Sequence, residues 1–357
     1  MIEKIVLTGG PCAGKTTAMS RIQSELNQLG WTVLFIPETA TELITSGVTP
    51  IIDPDFQQHL LHLQLEKEAT YIDVAKKMNA DKIIIVCDRG ALDSKAFMSQ
   101  EDFDTMMTKN LLNEIELRDN YGAVFHLVTA AKGASEFYTL ENNQARTETV
   151  DDACIIDNKI INAWTGHPHF RVIDNSTDFE NKMKRLIKEI AAYLGEPEPY
   201  EIERKFLIEY PDIQWLESLA NCQRTEIIQT YLESNNNEEV RVRQRGLDGF
   251  YTYTKTIKRN ISDIKRVEIE KRLSKDEYLN LLMKADTTKR QIRKTRYCLT
   301  YNNSYLEIDI YPFWSNRAIL EIELSSENQE IDIPDKIKVI KEVTYDQEYK
   351  NSHLAMR

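Results

Sequence analysis

A glycine-rich loop near the start of the chain contains the residue types that bind phosphate. The stretch GGPCAGKTT, residues 9–17, follows an apolar run and precedes a helical pattern. Its spacing matches G-x-x-x-x-G-K-[ST] without a gap. In such a loop, backbone N–H groups converge on phosphate oxygens, the lysine reaches the outer phosphates and the hydroxyl sits on Mg²⁺. The spacing therefore predicts a phosphate site formed by Gly9, Gly14, Lys15, Thr16 and Thr17.

Two carboxylates follow apolar runs that read as strands. Residues 31–36 lead to Glu38, and residues 83–87 lead to Asp88. The carboxyl ends of parallel strands share one edge of a sheet, so both side chains are expected near the bound phosphates. Asp88 would hold the Mg²⁺ water shell. For Glu38 we consider a general base for a substrate hydroxyl, a metal-side carboxylate or a solvated loop residue.

Two arginines complete the candidate catalytic residues. Arg89 follows Asp88 and would contact a phosphate or pair with a nearby acid. The polar stretch at 132–148 resembles a mobile lid, and Arg146 is its candidate for folding over a transferred phosphate, the alternative being a solvated arginine. We predict a catalytic set of Lys15, Glu38, Asp88 and Arg146.

The first half alternates strands and helices. Strands at 124–128 and 170–173, a long amphipathic helix over 55–78 and a last helix over 179–194 continue the series. This alternation predicts a parallel α/β sheet covered on both faces, and with the loop motif it predicts an α/β P-loop NTPase. In the long helix, Leu60, Leu63, Ala69, Ile72 and Ala75 are the expected buried positions. An N-K-x-D guanine motif is absent, so the sequence does not choose ATP or GTP.

The second half alternates charged residues at period two, which places them on one face of successive strands. The aligned residues are Glu201, Glu203 and Lys205; Arg241, Arg243 and Arg245; Arg266, Glu268 and Glu270; Lys294 and Arg296; Glu307 and Asp309; Glu321 and Glu323. A single strand of this kind is usually a solvated face. Repetition with both signs instead predicts a closed antiparallel sheet whose polar interior offers carboxylates to a divalent metal and basic groups to phosphate.

This second half resembles the CYTH family of triphosphate tunnel metalloenzymes over about residues 200–355. The family's E-x-E-x-K motif is present at 201–205, and RVEIE at 266–270 and KTRY at 294–297 also match. The resemblance implies metal-site carboxylates at Glu201, Glu203, Glu321 and Glu323. It implies phosphate-binding residues at Lys205, Arg241, Arg243, Lys294 and Arg296. Glu268, Glu270 and Asp309 would serve the metal or the network that orients the basic residues.

One position departs from the family pattern. The family usually has a single lysine on the strand after the arginine pair, whereas YTYTKTIKRN contains Lys255 and Lys258 on opposite faces. The tyrosine and threonine neighbours alternate more cleanly around Lys255. We therefore predict Lys255 as the phosphate-binding lysine.

The first half resembles the P-loop domain shared by the NadR and TRPL translocation defect protein families. The matching segments are GGPCAGKTT, PETATELI at 37–44, DRGALD at 88–93 and HPHFRVIDN at 167–175. The same order of domains, P-loop then CYTH, occurs in the TRPL translocation defect protein family. That resemblance implies binding of GTP and of anionic phospholipid headgroups, with a role in trafficking of a membrane channel.

Composition limits the other classes of function. A hydrophobic content of 41%, a charged content of 29% and a net charge of −12 indicate a globular protein that does not bind nucleic acid through its net charge. The five cysteines include no C-x-x-C pair, which favours a reducing compartment. The first strand is expected from residue 2, without room for a signal peptide, and no apolar run approaches a transmembrane span of ~18 residues. We expect a cytoplasmic protein, or one peripheral at membranes.

These observations predict two domains, a kinase-like P-loop domain at 1–195 and a CYTH tunnel domain at 200–357. The first would bind ATP or GTP with Mg²⁺ or Mn²⁺. The second would bind and hydrolyse a nucleoside triphosphate, inorganic polyphosphate or another phosphorylated small molecule. The alternative is a largely non-catalytic regulator that binds GTP and anionic phospholipid.

Overall fold

The computed structural model divides the chain into two units, Met1–Lys188 and Glu189–Arg357. It describes residues 1–134, 149–196, 203–234, 238–260, 266–324 and 331–356, without the side chains of 259, 260 and 266–268. The division lies earlier than the predicted boundary at 195–200, of which residues 197–200 are outside this range. Within these ranges, no helix has the length and apolar character needed to cross a membrane.

The first unit alternates strands and helices as predicted. Its strands are β1 (Ile2–Gly9), β2 (Thr32–Ile36), β3 (Ile83–Asp88), β4 (Ala123–Leu127) and β5 (Phe170–Ile173). Its helices are α1 (Lys15–Gln28), α2 (Thr39–Thr45), α3 (Phe56–Lys77), α4 (Gln100–Lys109), α5 (Glu114–Asp119), α6 (Val150–Trp164) and α7 (Phe179–Tyr193), with a 3-10 helix at Ala91–Phe97.

The five strands form one parallel sheet in the order β2-β3-β1-β4-β5. Residues 83–87 of β3 are buried without interruption, as expected for a central strand with both faces covered. The chain reverses its direction of strand addition at β1, and the glycine-rich loop leaves β1 at that switch point. This edge is where open α/β sheets bind ligands.

The buried face of α3 differs from the prediction. Of the expected positions, only Ala75 is fully buried, and Leu63 is exposed. Two polar residues that were not expected there, Gln64 and Glu68, are buried instead. Glu68 accepts hydrogen bonds from Lys4 Nζ at 2.6 Å and from Tyr121 Oη at 2.7 Å. A polar network supplied by distant strands and loops therefore set the orientation of this helix, which apolar periodicity could not reveal.

The second unit is a separate antiparallel sheet. Its strands are β6 (Glu203–Glu209), β7 (Cys222–Leu232), β8 (Glu238–Leu247), β9 (Phe250–Asn260), β10 (Arg266–Leu273), β11 (Ile292–Tyr301), β12 (Ser304–Ile310), β13 (Arg317–Glu323) and β14 (Val339–Glu342). Helices α8 (Ile213–Ser218), α9 (Lys275–Leu282) and α10 (Asn351–Leu354) and a 3-10 turn at Gln347–Tyr349 accompany them. The nine strands follow the order β10-β9-β8-β7-β11-β12-β13-β6-β14, consistent with the predicted tunnel.

The two faces of this sheet have opposite character. Phe206, Leu306, Ile308 and Leu320 pack in an apolar core on one face. Charged residues that alternate with them in sequence are buried on the other face, namely Lys205, Glu307, Asp309 and Glu321. Period-two alternation thus separates a hydrophobic core from a buried charged face.

The register corrects the prediction for Lys255. Residues directly opposite each other in a sheet share a face, and Lys255 lies opposite Val242 and Lys271. Val242 packs with Tyr278 of α9, on the face away from the arginines. Lys258 lies opposite Glu239 on β8 and Glu268 on β10. Glu239 is two residues before Arg241 on β8 and therefore shares its face, so Lys258 occupies the charged face. The prediction of Lys255 there was wrong because local alternation does not fix the pairing partner.

The hairpin between β8 and β9 provides a test of this register. A Cβ added to Gly246 would lie 1.9 Å from the backbone oxygen of Phe250, whereas one on Gly249 would meet nothing within 4 Å. We expect Gly246→Ala to lower the free energy of unfolding by about 3 kcal/mol, because a neighbouring strand must move. Gly249→Ala, at φ 92°, should cost only about 1 kcal/mol of left-handed backbone strain. Chemical denaturation measures both free energies of unfolding. An equal loss of stability in the two variants would contradict the register.

Candidate functional site

The glycine-rich loop connects the end of β1 to the start of α1. Gly14 caps α1 with φ 91° and Cys12 has φ 56°, so two residues of the loop are left-handed. Such turns direct consecutive backbone N–H groups toward one concave side, and the positive end of the α1 dipole adds to that field. Thr16 and Thr17, in the first turn of α1, are exposed. The loop therefore has the geometry of an anion site.

Lys15 is buried beside a group of charges at the same sheet edge. Burial lowers the pKa of its ammonium and the nearby Arg89 lowers it further, while Asp88 and Glu38 raise it. The structure thus brings Lys15, Glu38, Asp88 and Arg89 together, as predicted. Arg146 lies outside the described residues.

Asp88 has the features of a metal-side carboxylate. Its Oδ1 is buried, and none of the described residues supplies a hydrogen-bond partner to it. Burial raises the pKa of this carboxyl, and Lys15 opposes that shift. A buried carboxylate oxygen without a donor is an unfavourable arrangement that a hydrated cation would relieve. Asp88 and the exposed hydroxyl of Thr16 fit Mg²⁺.

Glu38 and Arg89 form an ion pair. Arg89 Nε donates to Glu38 Oε1, and Thr41 Oγ1 donates to Glu38 Oε2 at 2.9 Å. Burial opposes ionisation of Glu38, but Arg89 and Lys15 outweigh it and hold its pKa at about 2. Of the two roles considered for Arg89, pairing with an acid is the one this structure contains.

Asp93 was missed in the sequence, although it ends the DRGALD segment. It is buried and accepts hydrogen bonds from the Thr8 hydroxyl, from Gly90 N at 2.8 Å and from Trp164 Nε1 at 3.2 Å. It also contacts Arg89 Nη1 at 3.2 Å. Because Arg89 has φ 69°, this carboxylate stabilises an unusual backbone turn immediately after Asp88.

In the second unit, Arg296 is the centre of the charged face. Its guanidinium donates to Asp309 Oδ1 at 2.6 Å and Oδ2 at 2.7 Å, to Glu321 Oε2 at 2.7 Å and to Glu307. Lys294 also donates to Asp309. Burial lowers the pKa of Lys294 to about 8, with Arg296 adding to the shift. Both oxygens of Asp309 are therefore occupied, which favours the orienting role over the metal role we also considered.

Glu203 and Glu323 fit a metal better. They are directly opposite each other on β6 and β13, which brings two carboxylates together at one position of the sheet. Lys205 bonds Glu321 at 2.8 Å but is 3.7 Å from Glu203. Glu201 lies outside the described residues, and the side chain of Glu268 is not described. Among the described residues, no three His, Cys, Asp or Glu side chains are placed so that together they could hold a metal ion.

The arginines of β8 are on the same charged face. Arg241 and Arg245 are buried, and Arg243 Nη1 is 3.9 Å from Glu270 Oε2. Glu270 also accepts a hydrogen bond from Thr256 Oγ1 at 3.1 Å. Arg245, 3.8 Å from Cys298 Sγ, and Glu307 were not among the predicted site residues, although their alternation with Arg243 and Asp309 was visible in the sequence.

Comparison with protein families matches both units. Residues 4–182 match the AAA domain family, and residues 199–352 match the CYTH domain family. No curated protein matches the chain significantly.

Solved structures of other proteins match part of this chain. A crystal structure of an inorganic triphosphatase is 28% identical over 44% of this chain and 95% of its own, with a TM-score of 0.31. A deoxyadenosine kinase from M. mycoides with bound dATP is 18% identical over 53% of this chain and 98% of its own, with a TM-score of 0.35. A protein from Pyrococcus horikoshii is 19% identical over 36% of this chain and 80% of its own, with a TM-score of 0.28.

The Glu38–Arg89 pair predicts a measurable pKa change. In Arg89→Gln we expect the pKa of Glu38 to rise from about 2 toward or above its ordinary value of 4.5, because burial then acts without the guanidinium. In the wild type, this depressed pKa stabilises the fold above about pH 4.5, and that stabilisation is lost as the pH falls toward 2.

Carboxyl ¹³C NMR of glutamate-labelled protein measures this titration. The control is Lys95→Gln, whose lysine pairs with Glu114 at 2.7 Å and should leave Glu38 unchanged. A Glu38 pKa still near 2 in Arg89→Gln would contradict the assignment.

Proposed function

We propose that this chain, which belongs to the AAA domain family and also contains a CYTH domain at residues 199–352, binds a phosphoanhydride at a separate site in each unit. The first unit would bind Mg²⁺ with ATP or GTP and transfer or hydrolyse the γ-phosphoryl group. The second would bind the triphosphate chain of a nucleotide or inorganic polyphosphate and hydrolyse it. The observation that carries this proposal is that both units bury a mixed set of cations and carboxylates.

In the first unit, each charged group has a distinct proposed role. The glycine-rich loop and Lys15 would bind the β- and γ-phosphates, while Thr16 and Asp88 would hold the cation. Phosphoryl transfer passes through a loose transition state, so positioning and charge neutralisation contribute most of the rate. The acceptor oxygen attacks the γ-phosphorus, the bond to the β–γ bridging oxygen breaks and the nucleoside diphosphate leaves.

Glu38 would orient the acceptor hydroxyl. A carboxylate with a pKa of about 2 is a weak base, so it would not remove a hydroxyl proton before bond formation. It can still accept a hydrogen bond from the hydroxyl and take the proton late, as the phosphoryl bond forms. Arg89, paired with Glu38, would then keep that carboxylate ionised and fixed in direction.

In the second unit, the basic residues would neutralise the phosphate chain. Lys205, Arg241, Arg243, Lys258, Lys294 and Arg296 are the proposed phosphate-binding residues, and Lys258 replaces Lys255 in this role. Water would attack the terminal phosphorus, and the bridging P–O bond would break with its electrons going to the departing phosphate. Asp309 and Glu307 would hold Lys294 and Arg296 in place for this step.

Glu203 and Glu323, with Glu201 as implied by the family resemblance, are the proposed metal carboxylates of this unit. Glu321, which the resemblance also implies at the metal, has one oxygen on Lys205 and the other on Arg296 and would instead orient those two cations. A bound Mg²⁺ or Mn²⁺ would neutralise negative charge on the phosphate oxygens at both sites. Glu268 and Glu270 would complete the acidic part of the charged face.

Phosphate release from ATP, GTP and tripolyphosphate, with Mg²⁺ or Mn²⁺, tests the two sites. We expect Lys15→Ala to lower the rate of turnover at the first site by about 100-fold or more, because it deletes a group that would contact the transferred phosphoryl group. Glu203→Gln combined with Glu323→Gln should abolish tripolyphosphate hydrolysis and leave nucleotide binding by the first unit intact.

The control is Lys184→Met, an exposed position on α7 that should change neither activity. Nucleotide binding without turnover of any substrate would overturn the enzymatic proposal. In that case, sedimentation with vesicles containing anionic phospholipid would test the GTP- and phospholipid-binding regulator that we considered as the alternative.

A further inference from the structure

Three consecutive carbonyl groups of the glycine-rich loop are anchored to the body of the first unit. Pro11 O accepts a hydrogen bond from the hydroxyl of Thr129, and Cys12 O accepts one from Ala130 N at 3.4 Å. Ala13 O accepts one from Lys182 Nζ at 3.3 Å. Three consecutive carbonyl oxygens therefore have donors that come from the end of β4 and from α7.

The start of the loop is anchored through its amide. Gly10 N donates to Asp157 Oδ1 at 3.0 Å. Asp157, on α6, is fully buried, and His126 Nε2 lies 2.9 Å from the same oxygen while Lys132 Nζ lies 2.7 Å from Oδ2. A Cβ on Gly10 would approach this carboxylate to 2.7 Å, so only glycine allows such close packing.

Neither charged anchor is suited to contact phosphate directly. A lysine ammonium has three donors, and Lys182 uses them on Ala13 O, on Val128 O at 2.7 Å and on Asn175 Oδ1 at 2.7 Å. Asp157 carries a negative charge and would repel phosphate. Both side chains therefore act on the loop backbone.

The direction of these carbonyls decides whether the loop can bind an anion. A carbonyl oxygen that turned into the concave side would place a partial negative charge against the phosphates. It would also withdraw the neighbouring N–H group from the site. Side chains that fix the carbonyls in advance remove a reorganisation cost that binding would otherwise include.

We propose that Thr129, Asp157 and Lys182 form a loop brace, a set of positioning residues that preorganises the glycine-rich loop for the triphosphate of a nucleotide. This inference rests on the proposed nucleotide binding by the first unit. None of the three residues belongs to the G-x-x-x-x-G-K-[ST] motif, and they reach the loop from the segment after β4, from α6 and from α7. Burial lowers the pKa of Lys182 to about 8, and the nearby carboxylate of Asp157 opposes that shift.

Equilibrium binding of ATP with Mg²⁺, and of GTP with Mg²⁺, tests the brace in the full-length protein. Thr129→Val keeps the side-chain shape but deletes the hydroxyl, and Lys182→Met keeps most of the length but deletes the ammonium. We expect each to raise Kd by about tenfold or more, because an anchored carbonyl is released. Thr129→Ser retains the hydroxyl and is expected to recover most of the affinity that Thr129→Val loses.

The matched control for Lys182→Met is Lys184→Met, on the exposed side of the same helix, which should keep the wild-type Kd. Thermal unfolding without nucleotide is measured in parallel. If Lys182→Met does not fold, the comparison of Thr129→Val with Thr129→Ser decides.

The outcomes separate this inference from the proposed function. Absence of nucleotide binding by the wild type would overturn both. Binding by the wild type, its loss in Lys15→Ala, and a Kd within twofold of the wild type in folded Thr129→Val and Lys182→Met would overturn the brace alone. A purely structural role predicts that last pattern, with a lower melting temperature and an unchanged Kd.

Discussion

The guanidinium of Arg296 bonds three carboxylates, and this contact allows the second unit to bury the centre of its charged face. Glu307 and Glu321 are directly opposite each other in the sheet and would repel without it. Removing an ion from water costs several kcal/mol unless partners of opposite charge and good geometry are present. The same requirement explains why Lys294 is held beside Asp309 and Lys205 beside Glu321.

The first unit meets the same requirement at a sheet edge. Lys15, Glu38, Asp88 and Arg89 contain two cations and two carboxylates at the edge where the parallel strands end. Arg89 satisfies Glu38, but Asp88 Oδ1 has no donor among the described residues. Glu38 therefore belongs to an internal ion pair, whereas Asp88 lies in a position that fits a cation. In the proposed brace, the anchored carbonyls point away from the concave side, and the loop N–H groups after Gly10 would be left to the ligand, so the two features would serve one binding site.

The sequence predicted what local spacing determines and failed where distant segments decide. The loop motif, the strand ending at Asp88 and the charged alternation depend on neighbouring residues, and the structure contains all three. Lys255 was misplaced because its face depends on which residue of β8 lies opposite it. The buried face of α3 was mispredicted because Glu68 bonds Lys4 and Tyr121, far away in sequence. Asp157 and Lys182 carry no motif, and only the folded chain brings them to the loop.

The central claim is that the chain has two independent sites for phosphoanhydrides, one in each unit. Calorimetric titration with a non-hydrolysable ATP analogue and Mg²⁺, on the wild type, Lys15→Ala and Arg243→Gln, tests it most directly. The account predicts two binding events per chain in the wild type, with Lys15→Ala losing one and Arg243→Gln weakening the other. A single binding event per chain in the wild type, abolished by one of these variants, would contradict the presence of two sites.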